Sequence, residues 1–102
     1  MNYRVQLTAE ARRQLQEIDE WWTVNRPKAP ALVLRELARA TSLLSTMPMA
    51  GKIYRRATSA NYRRLLLRRS RFHVYYLVDE AERAVRIVAI WNAVRGHGPD
   101  LP

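Results

Sequence analysis

Arg64, Arg68, Arg71, His73, Tyr75 and Arg95 are the side chains of this sequence whose types and spacing could act together. Cleaving RNA without a metal needs a base near the 2'-hydroxyl, a cation for the developing negative charge and an acid for the leaving oxygen. In that set His73 is the one neutral base. The guanidiniums stay protonated, so they suit planar, paired holding of a carboxylate or phosphate and cannot relay protons. A lone strand histidine also serves as an ordinary structural hydrogen-bonding residue, and adjacent tyrosines such as Tyr75 and Tyr76 also serve as sheet packing. Only Tyr75 has the phase to stack a base among the cations. Other chemistries lack their residues. With no cysteine there is no thiolate nucleophile, disulfide or sulfur-ligated metal, and His73 and His97 do not have metal-ligand spacing. Gly51, Gly96 and Gly98 make no phosphate loop, and neither a Ser/His/Asp pattern nor an acidic metal cluster is present, so no cofactor is expected. This scarcity of catalytic groups favours binding over catalysis.

A β-hairpin must position these residues. Residues 61 to 79 hold two runs of strand-favouring residues, Tyr62 to Arg68 and Phe72 to Val78, joined by Arg69-Ser70-Arg71. Period-two alternation assigns Leu65, Leu67, Phe72, Val74, Tyr76 and Val78 to the core face. Arg64, Leu66, Arg68, Arg71, His73, Tyr75 and Leu77 fall on the other, expected to be wet and functional. Five of the sixteen arginines lie in this stretch. Residues 1 to 50 carry seven Lys/Arg against five Asp/Glu, whereas residues 51 to 102 carry eleven against four, so the second half holds most of the net charge of +9. Such a field attracts nucleic acid, an anionic protein surface or an acidic segment.

The remaining chain supplies the frame. Thr8 is a helix N-cap after a short strand over residues 3 to 7. Ala11, Leu15, Ile18 and Trp22 recur at helical spacing, which predicts a first helix from about residue 9 to 24, with Trp21 and Trp22 as core or interhelix anchors. Pro27 and Pro30 fit where a second helix begins. Its apolar face is read as Leu34, Leu37, Ala38, Thr41 and Leu44, and Met47-Pro48 ends it. Lys52 to Ala60 reads as an irregular loop that allows a short strand at Ile53-Tyr54, and Val85 to Trp91 as a final strand apolar on both faces, hence centrally placed. The tail from Asn92 to Pro99 has no regular pattern. The expected fold is α+β: an N-terminal strand and an antiparallel helical hairpin packed on a mostly antiparallel sheet completed by three C-terminal strands, all in a single domain over residues 1–102. No apolar run reaches the ~20 residues that span a bilayer, and the N-terminus has no secretory core, which predicts a cytoplasmic protein with no membrane partner.

With these pieces in order, the sequence resembles the RelE/ParE superfamily of bacterial toxins from type II toxin–antitoxin pairs. The resemblance runs from Tyr3-Arg4-Val5 through Ala11, Leu15 and Ile18, the helix ending at Leu44 with Pro48 and Gly51 behind it, Tyr62-Arg63-Arg64-Leu65 and Phe72-His73-Val74-Tyr75-Tyr76 to the ending Ile87-Val88-Ala89-Ile90-Trp91-Asn92-Ala93-Val94-Arg95-Gly96. RelE-like members cut messenger RNA on the ribosome. Where they usually carry lysines this chain has Arg63 and Leu65, it has His73 where an arginine often sits, and no tyrosine follows Tyr76. The ending is similar to ParE-like members, which block DNA gyrase without being nucleases, although Asn92 replaces their usual histidine. The resemblance therefore implies a gyrase inhibitor held in a hetero-oligomer by a cognate antitoxin with an acidic, apolar tail. The residues for antitoxin or target are Arg64, Arg68, Arg71, His73, Tyr75, Trp91 and Arg95. A RelE-like endoribonuclease acting on ribosome-bound mRNA through His73, Arg64, Arg71 and Arg95 is the alternative, and a basic nucleic-acid-binding module a third.

Overall fold

The computed structural model describes residues 2–56 and 60–102. Residues 57–59 of the expected loop lie outside the described residues. The order is β1 (Arg4–Leu7), α1 (Ala9–Asn25), α2 (Leu32–Thr46), β2 (Lys52–Arg56), β3 (Asn61–Leu67), β4 (Phe72–Asp79) and β5 (Ala84–Asn92). The five strands form one sheet in the order β1-β5-β4-β3-β2; β1 runs parallel to β5 and every other pairing is antiparallel.

Thr8 caps α1 with its hydroxyl, which accepts the Ala11 amide at 3.2 Å, and its own amide donates to Ile87 O of β5 at 2.9 Å. One residue thus starts the helix and ties it to the sheet. The stripe Ala11, Leu15, Ile18 and Trp22 faces the sheet as its spacing requires. Trp22 is buried and donates its indole N–H to Ala29 O at 2.8 Å across the interhelix turn. Trp21, expected as a second anchor, is instead half exposed, because it lies about 100° around the helix from its neighbour.

The second helix faces the sheet through Val33, Leu37, Ala40 and Leu44. Leu34 and Ala38 are exposed and Thr41 is half-buried, so the expected face was rotated by part of a turn. Apolar residues occupy so much of the circumference that two stripes share the helical period. The stripe that meets β3 and β1 is the one that packs.

On the sheet, Leu65, Leu67, Phe72, Val74, Tyr76 and Val78 join the helix-side core with Val85, Ile87 and Ile90. A register irregularity leaves Val88 as an extra residue, since Tyr75 pairs with Ala89 and Tyr76 with Ile87. The bulge shifts the phase of β5, so that Val88 and Ala89 pack on the far face while Ile90 returns to the helix side. Strand β5 lies inside the sheet between β1 and β4, which accounts for its apolar character on both faces. Strand β2 extends the expected short strand to five residues and forms the sheet's outer edge next to β3. Among the described residues, no helix is long and apolar enough to cross a membrane.

Candidate functional site: a basic groove on the open face of the sheet

The face of the sheet opposite the helices is less open than strand phase predicts. Tyr62, Tyr75, Val88 and Ala89 form a second small core there, joined by Leu77, Trp91 and Leu101. The patternless tail folds back over it: Pro99 is buried, the Tyr62 hydroxyl donates to Pro102 O, and the Trp91 indole N–H donates to His97 O at 2.9 Å. Tyr75, expected as a wet functional side chain, is 2% exposed and therefore forms the floor of the site. Nothing in strand alternation could reveal this, because the covering residues come from the end of the chain.

Beside the tail the face is open. A groove of about 710 Å³ runs between β2 and the β3–β4 turn, lined by Lys52, Tyr54, Arg64, Arg68, Arg71 and His73 among others. A smaller recess of about 210 Å³ adjoins it, sharing Tyr54, Arg64 and His73 and adding Tyr75, Trp91 and Arg95. All seven candidate residues read from the sequence therefore line one continuous surface. The sequence reading missed Lys52 and Tyr54 of β2, whose period-two signal is only five residues long and whose contribution depends on pairing with β3.

Two of the cations rest on aromatic rings. The Arg64 guanidinium lies 5.0 Å from the centroid of Tyr54, and that of Arg95 lies 4.6 Å from Trp91. Tyr54 in turn meets Tyr75 edge to face at 4.9 Å. Among the described residues, none of Arg64, Arg68, Arg71 and Arg95 has a carboxylate within ion-pair distance. A guanidinium stacked on a ring keeps its edge N–H groups free, so this surface presents fixed, unneutralised donors to an incoming carboxylate or phosphate.

Cross-strand pairing with Leu66 and Trp91 sets His73 at the junction of groove and recess. Burial holds its pKa below the ordinary 6.5, and the charges of Arg64 and Arg71 depress it further. The imidazole is thus neutral near pH 7 and able to accept a proton. The other cations cannot donate one usefully, since all but Lys52 are guanidiniums.

Between β3 and β4 the turn has an unusual shape. Arg71 adopts a left-handed conformation with φ of 67°, its amide donates to Leu67 O at 2.8 Å and its carbonyl accepts the Ala93 amide at 2.8 Å. A residue with a side chain pays a steric cost for that φ, so the surrounding contacts must hold it there.

A family model described as the ParE toxin of the type II toxin–antitoxin system parDE matches residues 5–95. The chain belongs to this ParE toxin family. It is a type II toxin of the ParE/RelE superfamily, and its likeness to solved structures extends to both branches. It is similar to a chain of the chromosomal ParDE toxin–antitoxin system from P. aeruginosa, with 18% identity and a TM-score of 0.69 over 88% of this chain and 95% of that one. Its likeness to the archaeal RelE–RelB complex from Pyrococcus horikoshii gives 19% identity and a TM-score of 0.68 over 94% and 100% of the two chains. For the RelBE2 toxin–antitoxin complex from Mycobacterium tuberculosis the identity is 26% and the TM-score 0.58, over 91% and 94%. No curated protein matched the sequence. The family match spans almost the whole of this ParE-family chain, including the hairpin that carries Arg64, Arg68, Arg71 and His73.

Proposed function

We propose that this toxin is a ParE-like inhibitor of DNA gyrase that acts by binding, and that a cognate antitoxin neutralises it in a cytoplasmic hetero-oligomer. The match to the ParE family supports the first part. The observation that carries it is the composition of the groove: guanidiniums fixed on Tyr54 and Trp91 and left without acidic partners among the described residues. Such groups hold anions strongly and exchange no protons at physiological pH. An antitoxin tail that is acidic and apolar would pair its carboxylates with Arg64, Arg68 and Arg71 and cover Leu66, which is 38% exposed beside them. Ordering such a tail only on binding would let it cover the groove and recess together.

Purified full-length toxin should inhibit supercoiling by gyrase, and its antitoxin should restore it. Unimpaired supercoiling at saturating toxin rejects gyrase as the target. The position and neutrality of His73 favour one other reading, a RelE-like endoribonuclease with His73 as base and Arg64, Arg71 and Arg95 as cations. Under that reading transcripts on the ribosome are cut and His73→Ala abolishes cutting; intact transcripts in arrested cells remove it.

A further inference from the structure

Glu36 is the one acidic residue of α2, and it reaches away from its own helix. Its Oε2 accepts the Arg69 amide at 2.9 Å and its Oε1 accepts the Ser70 amide at 2.8 Å. Both oxygens are therefore engaged by consecutive main-chain N–H groups of the most basic turn in the molecule. Among the described residues no ion pair joins Glu36 to Arg68, Arg69 or Arg71. A surface carboxylate beside three arginines would ordinarily neutralise one of them; here the negative charge grips the backbone and leaves the guanidiniums unpaired.

We infer that Glu36 is a positioning residue, which holds the β3–β4 turn in the shape that aims Arg68 and Arg71 into the groove. The turn needs such a hold. Arg71 sits at a φ of 67°, and a four-residue connection closed by Leu67 and Phe72 has other conformations that avoid that strain. Charge-assisted hydrogen bonds to two successive amides remove that freedom just before the strained residue, and the bond from Ala93 to Arg71 O fixes the far side. Ser70 is buried between these two holds at 7% exposure. Without Glu36 the turn relaxes to negative φ at Arg71, and the directions of the Arg68 and Arg71 side chains change with it. The helical hairpin thereby sets the donor geometry of a site on the opposite face of the sheet.

This inference rests on the anion-binding reading of the groove, and its test separates the two. The full chain is titrated with an oligoglutamate peptide, and the backbone is followed by NMR. Glu36→Ala should weaken binding roughly tenfold, and Glu36→Gln, which keeps one acceptor oxygen, should weaken it less. In an Arg68→Ala/Arg71→Ala background Glu36→Ala should have no further effect; an equal loss there means that Glu36 acts on the fold at large and overturns the inference. The direct readout needs no ligand. In the unsubstituted protein Arg71 should give the strong intraresidue amide–Hα NOE of a positive φ, with the Arg69 and Ser70 amides protected from exchange. Glu36→Ala should abolish both, and their persistence in that variant refutes the positioning role. If the unsubstituted protein fails to bind oligoglutamate, the anion-binding reading falls and the NMR comparison still decides whether Glu36 sets the turn.

Discussion

On the side of the sheet covered by the helices, Leu44, Val74, Tyr76, Val85 and Ile87 are at or near zero exposure and close against one another. On the other side the same strands contribute a smaller cluster around Tyr62, Tyr75, Val88 and Ala89, sealed by the C-terminal tail, and beside it a groove lined by arginines. The strand alternation that made both faces is identical; what covers them differs. A helix lays down a continuous apolar stripe, whereas a ten-residue tail can seal only part of a sheet, and the uncovered part carries charged side chains beside the exposed Ile53 and Leu66. The basic groove occupies the area that the fold leaves uncovered. Residues there can be strained, charged and mutually repulsive because the helix-side core carries most of the apolar burial.

The most severe challenge to this contrast is Tyr75→Ala. If the far face has a true core, the substitution should cost about 3–5 kcal/mol in urea unfolding, as for a large aromatic removed from an interior. A cost below that of an ordinary surface substitution would mean that the tail does not seal the face. Next is Gly51→Ala, at the border between the two regions. An added Cβ would lie 2.7 Å from the Tyr76 hydroxyl and 2.9 Å from Arg64 O, while the Gly51 amide donates to that same hydroxyl at 2.8 Å. A destabilisation of about 1–3 kcal/mol is expected, and an unchanged unfolding midpoint would contradict this close approach. Arg64→Ala should cost less than about 1 kcal/mol of stability, mostly its stacking on Tyr54, yet should weaken anion binding markedly. Equal loss of both would place Arg64 in the fold and not in the site.

Acidification gives the smallest and most diagnostic effect. The folded pKa of His73 lies below 6.5, so the unfolded chain takes up that proton first and stability falls as the pH drops through 6.5. Burial of Glu36 opposes its ionisation. The Ser70 hydroxyl dipole, the Arg69 and Ser70 amides and the Arg69 charge together outweigh it and hold the carboxyl below its ordinary 4.5. That contribution is fully present above 4.5 and is lost as the pH falls through the lower folded value. Urea midpoints should thus decline in two stages, the first removed by His73→Gln and the second reduced by Glu36→Gln, its remainder coming from Asp79, whose carboxyl the Glu82 amide and the Arg86 guanidinium hold below its ordinary 3.8. A midpoint that stays level from about pH 7.5 to 5.5 would show that His73 is not desolvated.

Much of the frame was legible in the residues. Thr8 ahead of a helical period, the stripe from Ala11 to Trp22 and the alternation from Leu65 to Val78 each depend on neighbours in sequence, and each holds in the structure. The exceptions have physical causes. On α2 two apolar stripes compete, and packing on β3 selected Val33, Leu37, Ala40 and Leu44. In β5 the extra residue Val88 changes the phase part-way along, a backbone event without a side-chain signature. The candidate residues for binding were found as types, but Lys52 and Tyr54 were not, because a five-residue strand carries too short a period, and Glu36 was not, because it meets the β3–β4 turn from α2, a helix distant in sequence.

The sequence by itself determined where the positive charge lies and which strand positions carry it, since composition and period two are local properties of the chain. Tertiary structure alone decided that Tyr75 would be a floor, that the tail would cover part of a face, and that a carboxylate from α2 would hold an arginine turn by its backbone. Those outcomes depend on which distant segments meet, and no short-range pattern encodes such a meeting.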